Sequence, residues 1–235
     1  MLQVRFKYSS AFLIWFLLAF SRASFAGEAT PGQSKWEANI KAFEAADKTN
    51  PPPTGAIVFV GSSSIVLWKD LAQDFPEFKI IQRGFGGSEI HDVTAFANRI
   101  VIPYRPTQVV LYAGDNDIAN GKSPEQLLNE FKSFAVTIHA NLPQAPITFI
   151  SIKPSPNRWH LVDKVKKANA LVADYVKGNR QLDFIDVFTP MLGQDGKPRP
   201  ELFLPDNLHL NRKGYDLWVK LIRPHLKLTE NAPAK

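Results

Sequence analysis

Short apolar runs alternate along the chain with longer segments in which apolar residues recur at helical spacing. The runs predict five buried strands, at 57–60, 79–82, 108–112, 147–151 and 182–186. The spacing predicts helices at 34–48, 65–74, 88–100, 123–141, 159–178 and 211–226. Short, nearly continuous apolar strands between helices are typical of a parallel sheet covered on both faces. We therefore predict an α/β fold, a three-layer α/β/α sandwich whose flavodoxin-like five-stranded parallel sheet has the order 2-1-3-4-5.

Glycine-rich polar turns follow the first three predicted strands, at 61–64, 83–88 and 113–117. In an open parallel sheet, functional groups gather at the carboxyl ends of the strands, near the point where the strand order reverses. A longer connection follows the fifth strand and leads to Asp206-Asn207-Leu208-His209 before the last helix. We expect these four segments to meet at one edge of the sheet.

The residues in these segments match the requirements of nucleophilic acyl transfer. Ser63 stands at a strand-to-helix turn, where its own N–H and the helix dipole favour negative charge. Asp206 and His209 are three residues apart, so the carboxylate could hold one imidazole nitrogen while the other faces the Ser63 hydroxyl. Gly87 could offer a backbone N–H and Asn116 a side-chain N–H to a developing oxyanion.

In these blocks the chain resembles the SGNH hydrolases, also called GDSL-type esterases and lipases. Gly61-Ser62-Ser63 stands in the place of the Gly-Asp-Ser block, Gly87 at the second-block glycine, Gly114-Asp115-Asn116 at Gly-x-Asn, and Asp206 to His209 at Asp-x-x-His. The resemblance implies a catalytic triad of Ser63, Asp206 and His209 and an oxyanion hole of Ser63, Gly87 and Asn116. It also implies an ester or thioester hydrolase that works through an acyl-serine and needs no metal or organic cofactor.

Ser62 departs from the family pattern, which usually has aspartate beside the nucleophile. The chain resembles in this a subgroup with Gly-Ser-Ser-Ser and Gly-Asp-Asn-Asp blocks, and the departure leaves the substrate class open. Because the resemblance assigns the orienting carboxylate to Asp206, the triad does not depend on position 62. The chain does not match the Gly-x-Ser-x-Gly motif of α/β-hydrolases, because Ile65 stands in place of the closing glycine.

Other functions for these turns fit the sequence less well. The three serines at 62–64 could simply cap a helix, as serines at such turns often do. The glycines at 84–87 lack the spacing of a dinucleotide-binding loop, and the chain has no phosphate-binding lysine motif. The segment 115–126 has Ala119, Asn120 and Gln126 where a calcium-binding loop needs a ligand, a glycine and a glutamate.

Arg158 and Trp159 follow the fourth predicted strand on the expected active-site side. An arginine beside an exposed aromatic ring suits binding of a sugar or an anionic group. Trp159 could equally pack under the loop as the next helix begins. Both interpretations fit the sequence.

The N-terminal segment 1–26 has the features of a secretory signal peptide. Arg5 and Lys7 precede a ten-residue apolar run, and small residues precede Gly27, where we expect cleavage. An uncleaved anchor is the alternative, although the run is shorter than a bilayer crossing requires. The 235 residues then form the signal peptide and one hydrolase domain at 27–235, and with no cysteine present we expect neither disulfides nor cysteine lipidation.

Charge argues against a nucleic-acid partner. Removal of Arg5, Lys7 and Arg22 with the signal lowers the formal charge from +6 to +3, and the remaining basic residues are interleaved with acidic ones.

We expect an exported esterase, periplasmic or secreted, that has no integral membrane association after cleavage. Its expected substrate is a small-molecule or carbohydrate ester with a short acyl group, such as acetyl on carbohydrate. The alternatives to such an esterase are a lysophospholipase, a thioesterase, or a non-catalytic module that binds glycan or lipid.

Overall fold

The central sheet has five parallel strands in the order β2-β1-β3-β4-β5. A computed structural model describes residues 31–227. Its strands are β1 Ile57–Gly61, β2 Ile80–Gly84, β3 Gln108–Tyr112, β4 Ile147–Ile150 and β5 Leu182–Ile185. All four neighbouring pairs are parallel. The predicted number, positions and order of the strands are confirmed.

Helices cover both faces of the sheet. Within residues 31–227 the α-helices are α1 Pro31–Thr49, α2 Ser63–Val66, α3 Leu71–Asp74, α4 Ile90–Ile100, α5 Asp115–Ala119, α6 Pro124–Asn141, α7 Val162–Val176 and α8 Arg212–Ile222. Buried side chains of α1, α4, α6 and α7 form one core, and those of α2, α3 and α8 form the other. The three-layer α/β/α sandwich is therefore confirmed.

The strands divide their side chains between the two cores. Val58 and Val60 belong to the core under α1 and α4, whereas Ile57 and Phe59 belong to the core under α8. Successive strand side chains point to opposite faces, so a strand covered on both faces is apolar at every position. This arrangement explains why β1 appears in the sequence as an unbroken apolar run.

The predicted helix at 65–74 is wrong in its continuity, because two short helices, α2 and α3, replace it. The Gln82 side-chain amide of the neighbouring strand β2 donates hydrogen bonds to the Ile65 carbonyl and, at 3.0 Å, to the Trp68 carbonyl. In a continuing α-helix the Ile65 carbonyl would accept from the Lys69 N–H, but here it accepts from Gln82 and, at 3.2 Å, from the Trp68 N–H. A side chain from another strand therefore ends α2 after about one turn.

The predicted signal peptide at 1–26 lies outside the described residues, so its cleavage and the export that depends on it stay predictions. Across residues 31–227, none of the helices combines the length and apolar character needed to span a membrane.

Candidate active site

The register of the sheet brings the first three polar turns together. Gly61, the last residue of β1, pairs with Gly84 of β2 and with Tyr112 of β3. Gly61 has φ +139°, and a Cβ there would lie 1.9 Å from the Tyr112 carbonyl oxygen. Glycine is therefore required at the point where β1 turns into α2. Ser63 is the first residue of α2.

Ser63, His209 and Asp206 form a continuous hydrogen-bonded chain. His209 Nε2 lies 3.0 Å from Ser63 Oγ, and His209 Nδ1 lies 2.6 Å from Asp206 Oδ2. An ionised carboxylate can only accept hydrogen bonds, so Nδ1 carries the proton and Nε2 of the neutral ring is left to accept from the serine hydroxyl. The three predicted triad residues are brought together in the order that proton abstraction from Ser63 requires.

The turn at 206–209 holds its own geometry. Asp206 Oδ1 accepts hydrogen bonds from the backbone N–H groups of Leu208 and His209, at 2.9 and 3.0 Å. Slight burial opposes ionisation of Asp206, but the hydrogen bonds from His209 and Leu208 outweigh it and lower the pKa of Asp206 to about 2. The Asp206 side chain is 47% exposed, so the carboxylate is ionised and in contact with solvent.

Gly87, the predicted backbone donor, lies in a turn that passes close to Ser63. A Cβ at the preceding residue, Gly86, would lie 4.0 Å from the Ser63 Cβ. Gly87 has φ +78°, a conformation that glycine adopts without strain. The Trp36 indole N–H donates to the Gly86 carbonyl at 2.9 Å, so α1 supports this turn from outside the sheet.

Asn116, the predicted side-chain donor, is connected to the Gly87 turn. Asn116 Nδ2 donates to the Ser88 carbonyl at 3.0 Å, and Asn116 Oδ1 accepts from Arg158 Nη2 at 3.1 Å. Its amide nitrogen carries two hydrogens, so the bond to Ser88 leaves one for another acceptor. The structure thus brings Gly87 and Asn116 to adjoining turns on the Ser63 side of the sheet.

Asp115 lies between two cations beside Asn116. Asp115 Oδ2 accepts from Lys153 Nζ, and Asp115 Oδ1 accepts from Arg158 Nη1, both at 2.5 Å. Burial alone would raise the pKa of the Asp115 carboxyl, but Lys153 and Arg158 hold it below its ordinary value. Lys153 is buried and also contacts the Tyr112 hydroxyl at 3.1 Å. No pattern in the sequence predicted a role for Lys153.

Arg158 and Trp159 occupy different surroundings. The Arg158 guanidinium is engaged by Asp115 and Asn116, and its side chain is 20% exposed. Trp159 is half-buried and packs against the core under α7. Both residues line a cavity of about 10 Å³ behind Asp115, which has room for about one water molecule. The packing interpretation describes Trp159 here, and direct contact of either residue with substrate stays a prediction.

A second charged cluster lies next to the Gly87 turn. Asp117 Oδ1 accepts from the Ile90 backbone N–H at 3.1 Å, and Lys122 Nζ lies 3.3 Å from the same oxygen. Lys122 also pairs with Glu89 and Glu130. Within residues 31–227 no group of three or more His, Asp or Glu side chains is arranged to hold a metal ion.

This geometry has the parts that acyl transfer needs. Ser63 Oγ has an imidazole nitrogen in place to take its proton, and Asp206 faces the other side of that ring. The N-terminus of α2 and the turns of Gly87 and Asn116 offer N–H donors near the serine. Such a site can attack an ester carbonyl and stabilise the negative charge that develops on its oxygen.

Known proteins share both the sequence pattern and the fold. Residues 53–217 match the GDSL-like lipase/acylhydrolase family model. No curated protein sequence matches the chain. A GDSL-like lipase from Bacteroides thetaiotaomicron has a similar structure, with a TM-score of 0.67 and 25% identity over 80% of this chain and 97% of that chain.

Two further solved structures share the fold at lower identity. A lipase/acylhydrolase from Enterococcus faecalis has a TM-score of 0.56 and 21% identity, over 73% of this chain and 96% of its own. A catalytic mutant of an acetylxylan esterase from Geobacillus stearothermophilus has a TM-score of 0.58 and 14% identity, over 72% and 94%. The match at 53–217 contains all five strands and all four polar segments, so this chain belongs to the GDSL-like lipase/acylhydrolase family and is an ester hydrolase.

Proposed function

We propose that the protein is an exported serine esterase that forms an acyl-serine intermediate on Ser63 and prefers short acyl groups. The observation that carries the mechanism is the arrangement of His209, whose Nε2 lies 3.0 Å from Ser63 Oγ while its Nδ1 lies 2.6 Å from Asp206. Because each ring nitrogen has one partner, the imidazole is oriented to move a proton between Ser63 and the substrate.

The proposed reaction has two halves. Ser63 Oγ attacks the ester carbonyl carbon as its proton passes to His209 Nε2, and Asp206 stabilises the imidazolium. The N–H groups of Ser63, Gly87 and Asn116 hold the oxyanion of the tetrahedral intermediate. His209 then protonates the departing alcohol oxygen. In the second half His209 takes a proton from water, which attacks the acyl carbon. His209 Nε2 then returns that proton to Ser63 Oγ as the bond between Oγ and the acyl carbon breaks, which releases the acid and restores the serine hydroxyl.

The preference for short acyl groups is supported by the sequence of residues 27–235, which contains no long apolar segment that could form a lid over a fatty chain. The similar fold of an acetylxylan esterase makes acetyl esters of carbohydrate a reasonable first substrate class to test. Lysophospholipids and thioesters would use the same three catalytic residues, so they belong in the same series.

A fluorophosphonate probe tests the nucleophile. Wild type should gain one covalent adduct, located on Ser63 by peptide mass spectrometry, and Ser63→Ala should gain none. Ser64→Ala is the matched control, because Ser64 lies in the same turn with its hydroxyl buried and without a hydrogen-bond partner. Folded wild type that gains no adduct would contradict the enzyme and favour a non-catalytic module that binds glycan or lipid.

A series of p-nitrophenyl esters tests the acyl group. The value of kcat/KM should be highest for acetyl or propionyl esters and should fall as the acyl chain lengthens. Highest activity with long chains would contradict the short-acyl preference while leaving the esterase mechanism intact. Acetylated xylooligosaccharides, a lysophospholipid and an acyl thioester then compare the proposed carbohydrate ester with its alternatives.

Export rests on the sequence of residues 1–26 and is tested separately. Expression of the full chain in a Gram-negative host should yield a periplasmic or secreted protein that begins at Gly27. A product that keeps Met1 and stays in the cell would contradict export without affecting the catalytic proposal.

A further inference from the structure

We infer that Arg158 is a positioning residue that fixes the orientation of the Asn116 amide and so makes it an effective oxyanion donor. The inference rests on the proposed function, because it assigns Arg158 a part in the same reaction. It differs from the expectation that Arg158 contacts the substrate directly.

The two neighbours of Asn116 distinguish its amide nitrogen from its amide oxygen. Asn116 Nδ2 faces the Ser88 carbonyl at 3.0 Å, and Asn116 Oδ1 faces Arg158 Nη2 at 3.1 Å. Rotation of the amide by 180° would place its NH₂ against the N–H of Arg158 and its oxygen against the carbonyl of Ser88. Both hydrogen bonds would be replaced by repulsive contacts, so the two neighbours select one orientation.

In that orientation one of the two amide hydrogens of Asn116 makes no hydrogen bond within the described residues. Asn116 Nδ2 has two hydrogens, and the Ser88 carbonyl accepts one of them. Ser88 follows Gly87, so this bond also holds the two proposed donors at a fixed separation. The second hydrogen remains for the oxyanion.

Arg158 is itself anchored by Asp115. Its Nη1 donates to Asp115 Oδ1 at 2.5 Å while Nη2 reaches Asn116, so the two arms of one guanidinium hold two successive residues. Asp115 is held in turn by buried Lys153 at 2.5 Å. The planar fork is what permits both contacts, since a single lysine ammonium has no matching rigid geometry.

The charges beside Asn116 favour an oxyanion. The group of Asp115, Lys153 and Arg158 carries two positive charges and one negative charge, next to the place where an oxyanion would develop. A cation that binds Asn116 Oδ1 also polarises the amide and strengthens its N–H as a donor. Both effects grow as negative charge appears on the substrate oxygen, so they should act on kcat more than on substrate binding.

Four variants test the inference with the best p-nitrophenyl ester. Asn116→Ala should lower kcat by about 10²–10³-fold, the effect of removing one oxyanion donor. Arg158→Lys, which retains a positive charge for Asp115, should lower kcat by about tenfold and leave KM within about twofold, because the donor is then less well aligned. The double variant should match Asn116→Ala alone. Arg180→Met, an exposed arginine before β5, is the control and should leave kcat unchanged.

Arg158→Met adds the loss of the guanidinium charge and should lower kcat at least as far as Arg158→Lys. Thermal unfolding is measured for every variant, and Arg158→Lys carries the test if Arg158→Met does not fold. A raised KM with unchanged kcat in Arg158→Lys would show direct substrate binding and overturn the inference. So would effects of Arg158→Lys and Asn116→Ala that multiply in the double variant.

The outcomes separate this inference from the proposed function. If wild type reacts with the fluorophosphonate at Ser63 but Asn116→Ala keeps full kcat, the role of Asn116 and the inference fail while the serine esterase stands. If folded wild type does not react with the fluorophosphonate, the proposed function is contradicted, and the inference about Arg158, which depends on it, is contradicted as well.

Discussion

The indole N–H of Trp36 donates a hydrogen bond to the carbonyl oxygen of Gly86 at 2.9 Å. Trp36 also packs edge-on against Phe85, with ring centroids 5.7 Å apart. The first helix therefore holds the turn that places Gly87 beside Ser63. The sequence predicted a helix at 34–48 but no function for it, and this contact connects the helix to the candidate active site.

Trp36→Phe should lower both stability and turnover. The variant retains an aromatic ring against Phe85 but loses the hydrogen bond, so the free energy of unfolding should fall by about 1 kcal/mol. The Gly87 N–H would be held less firmly, and kcat should fall by less than about tenfold. Urea denaturation and ester hydrolysis measure the two effects.

Tyr104→Phe is the matched control, because the Tyr104 hydroxyl donates at 2.5 Å to Asp47, near the other end of α1. It should lower stability without lowering kcat. Equal kcat in the two variants would contradict the role of Trp36 in holding the turn.

Gly61→Ala should be among the most destabilising single changes in the sheet. The added Cβ would lie 1.9 Å from the Tyr112 carbonyl, and φ +139° is a strained conformation for alanine. We expect a loss of at least about 3 kcal/mol in the free energy of unfolding. Gly121→Ala is the control, since its φ is +97° but nothing lies within 4 Å of the added Cβ, and it should cost about 1–2 kcal/mol. Similar losses in the two variants would rule out the steric explanation.

Asp206→Asn should reduce kcat by about 10²–10⁴-fold without unfolding the protein. The asparagine oxygen can still accept from the backbone of Leu208 and His209, but an amide N–H facing His209 Nδ1 favours the wrong imidazole tautomer. Asp195→Asn is the control, because Asp195 makes a similar turn bond to the Lys197 N–H away from the triad. Hydrolysis of the best ester by both variants decides the point, and an active Asp206→Asn would exclude the proposed triad.

The pKa of Asp206 also predicts how stability depends on pH. Because that pKa is lowered to about 2 in the fold, ionised Asp206 stabilises the protein fully above the unfolded pKa of about 3.9. This contribution is lost as the pH falls from about 4 towards 2. Asp206→Asn should lose less stability than wild type over that interval, as measured by urea denaturation.

Asp117 should have the opposite effect on stability. Burial raises the pKa of Asp117 to about 7, although Lys122 Nζ lies 3.3 Å away. The fold therefore favours protonated Asp117, and ionisation of this group lowers the free energy of unfolding as the pH rises from about 4 to about 7. Asp117→Asn keeps a carbonyl oxygen for the Ile90 N–H and should show a smaller decrease over that range.

Other charged groups lie in the same cluster and are unchanged in the variant: Glu89, His91, Asp92, Lys122 and Glu130. The measurement therefore compares how steeply the free energy of unfolding changes with pH in wild type and in Asp117→Asn. Identical slopes would show that ionisation of Asp117 does not lower stability over this range. A Glu125→Gln variant, at an exposed ion pair with Lys167, controls for the loss of one carboxylate.

The strands could be predicted because their signal is local. The central strands β1, β3 and β4 are buried at every position and are therefore largely apolar over four or five consecutive residues. The observed bounds of all five strands differ from the predicted ones by at most two residues. The break between α2 and α3 could not be predicted in this way. It depends on Gln82, whose amide reaches the carbonyls of Ile65 and Trp68 from a neighbouring strand.

The candidate site was predictable to a different degree for each residue. Ser63, Gly87, Asn116, Asp206 and His209 stand in short turns whose residue types suggest their chemistry. Lys153 and Arg158 are 38 and 43 residues from their shared partner Asp115, and no local pattern joins them. A lysine three residues after the end of β4 was the one available signal, since a charged side chain so close to a buried strand is seldom buried without a partner.

Ser63 and His209 are 146 residues apart in the chain and meet only across the finished sheet. During synthesis the nucleophile would leave the ribosome long before its base, so a partly made chain has no working catalytic centre. Contacts between such distant positions form late, because the loop that they close is long. Ester hydrolysis can therefore serve as a measure of completed folding, and its return after denaturation would report the closing of the last loop.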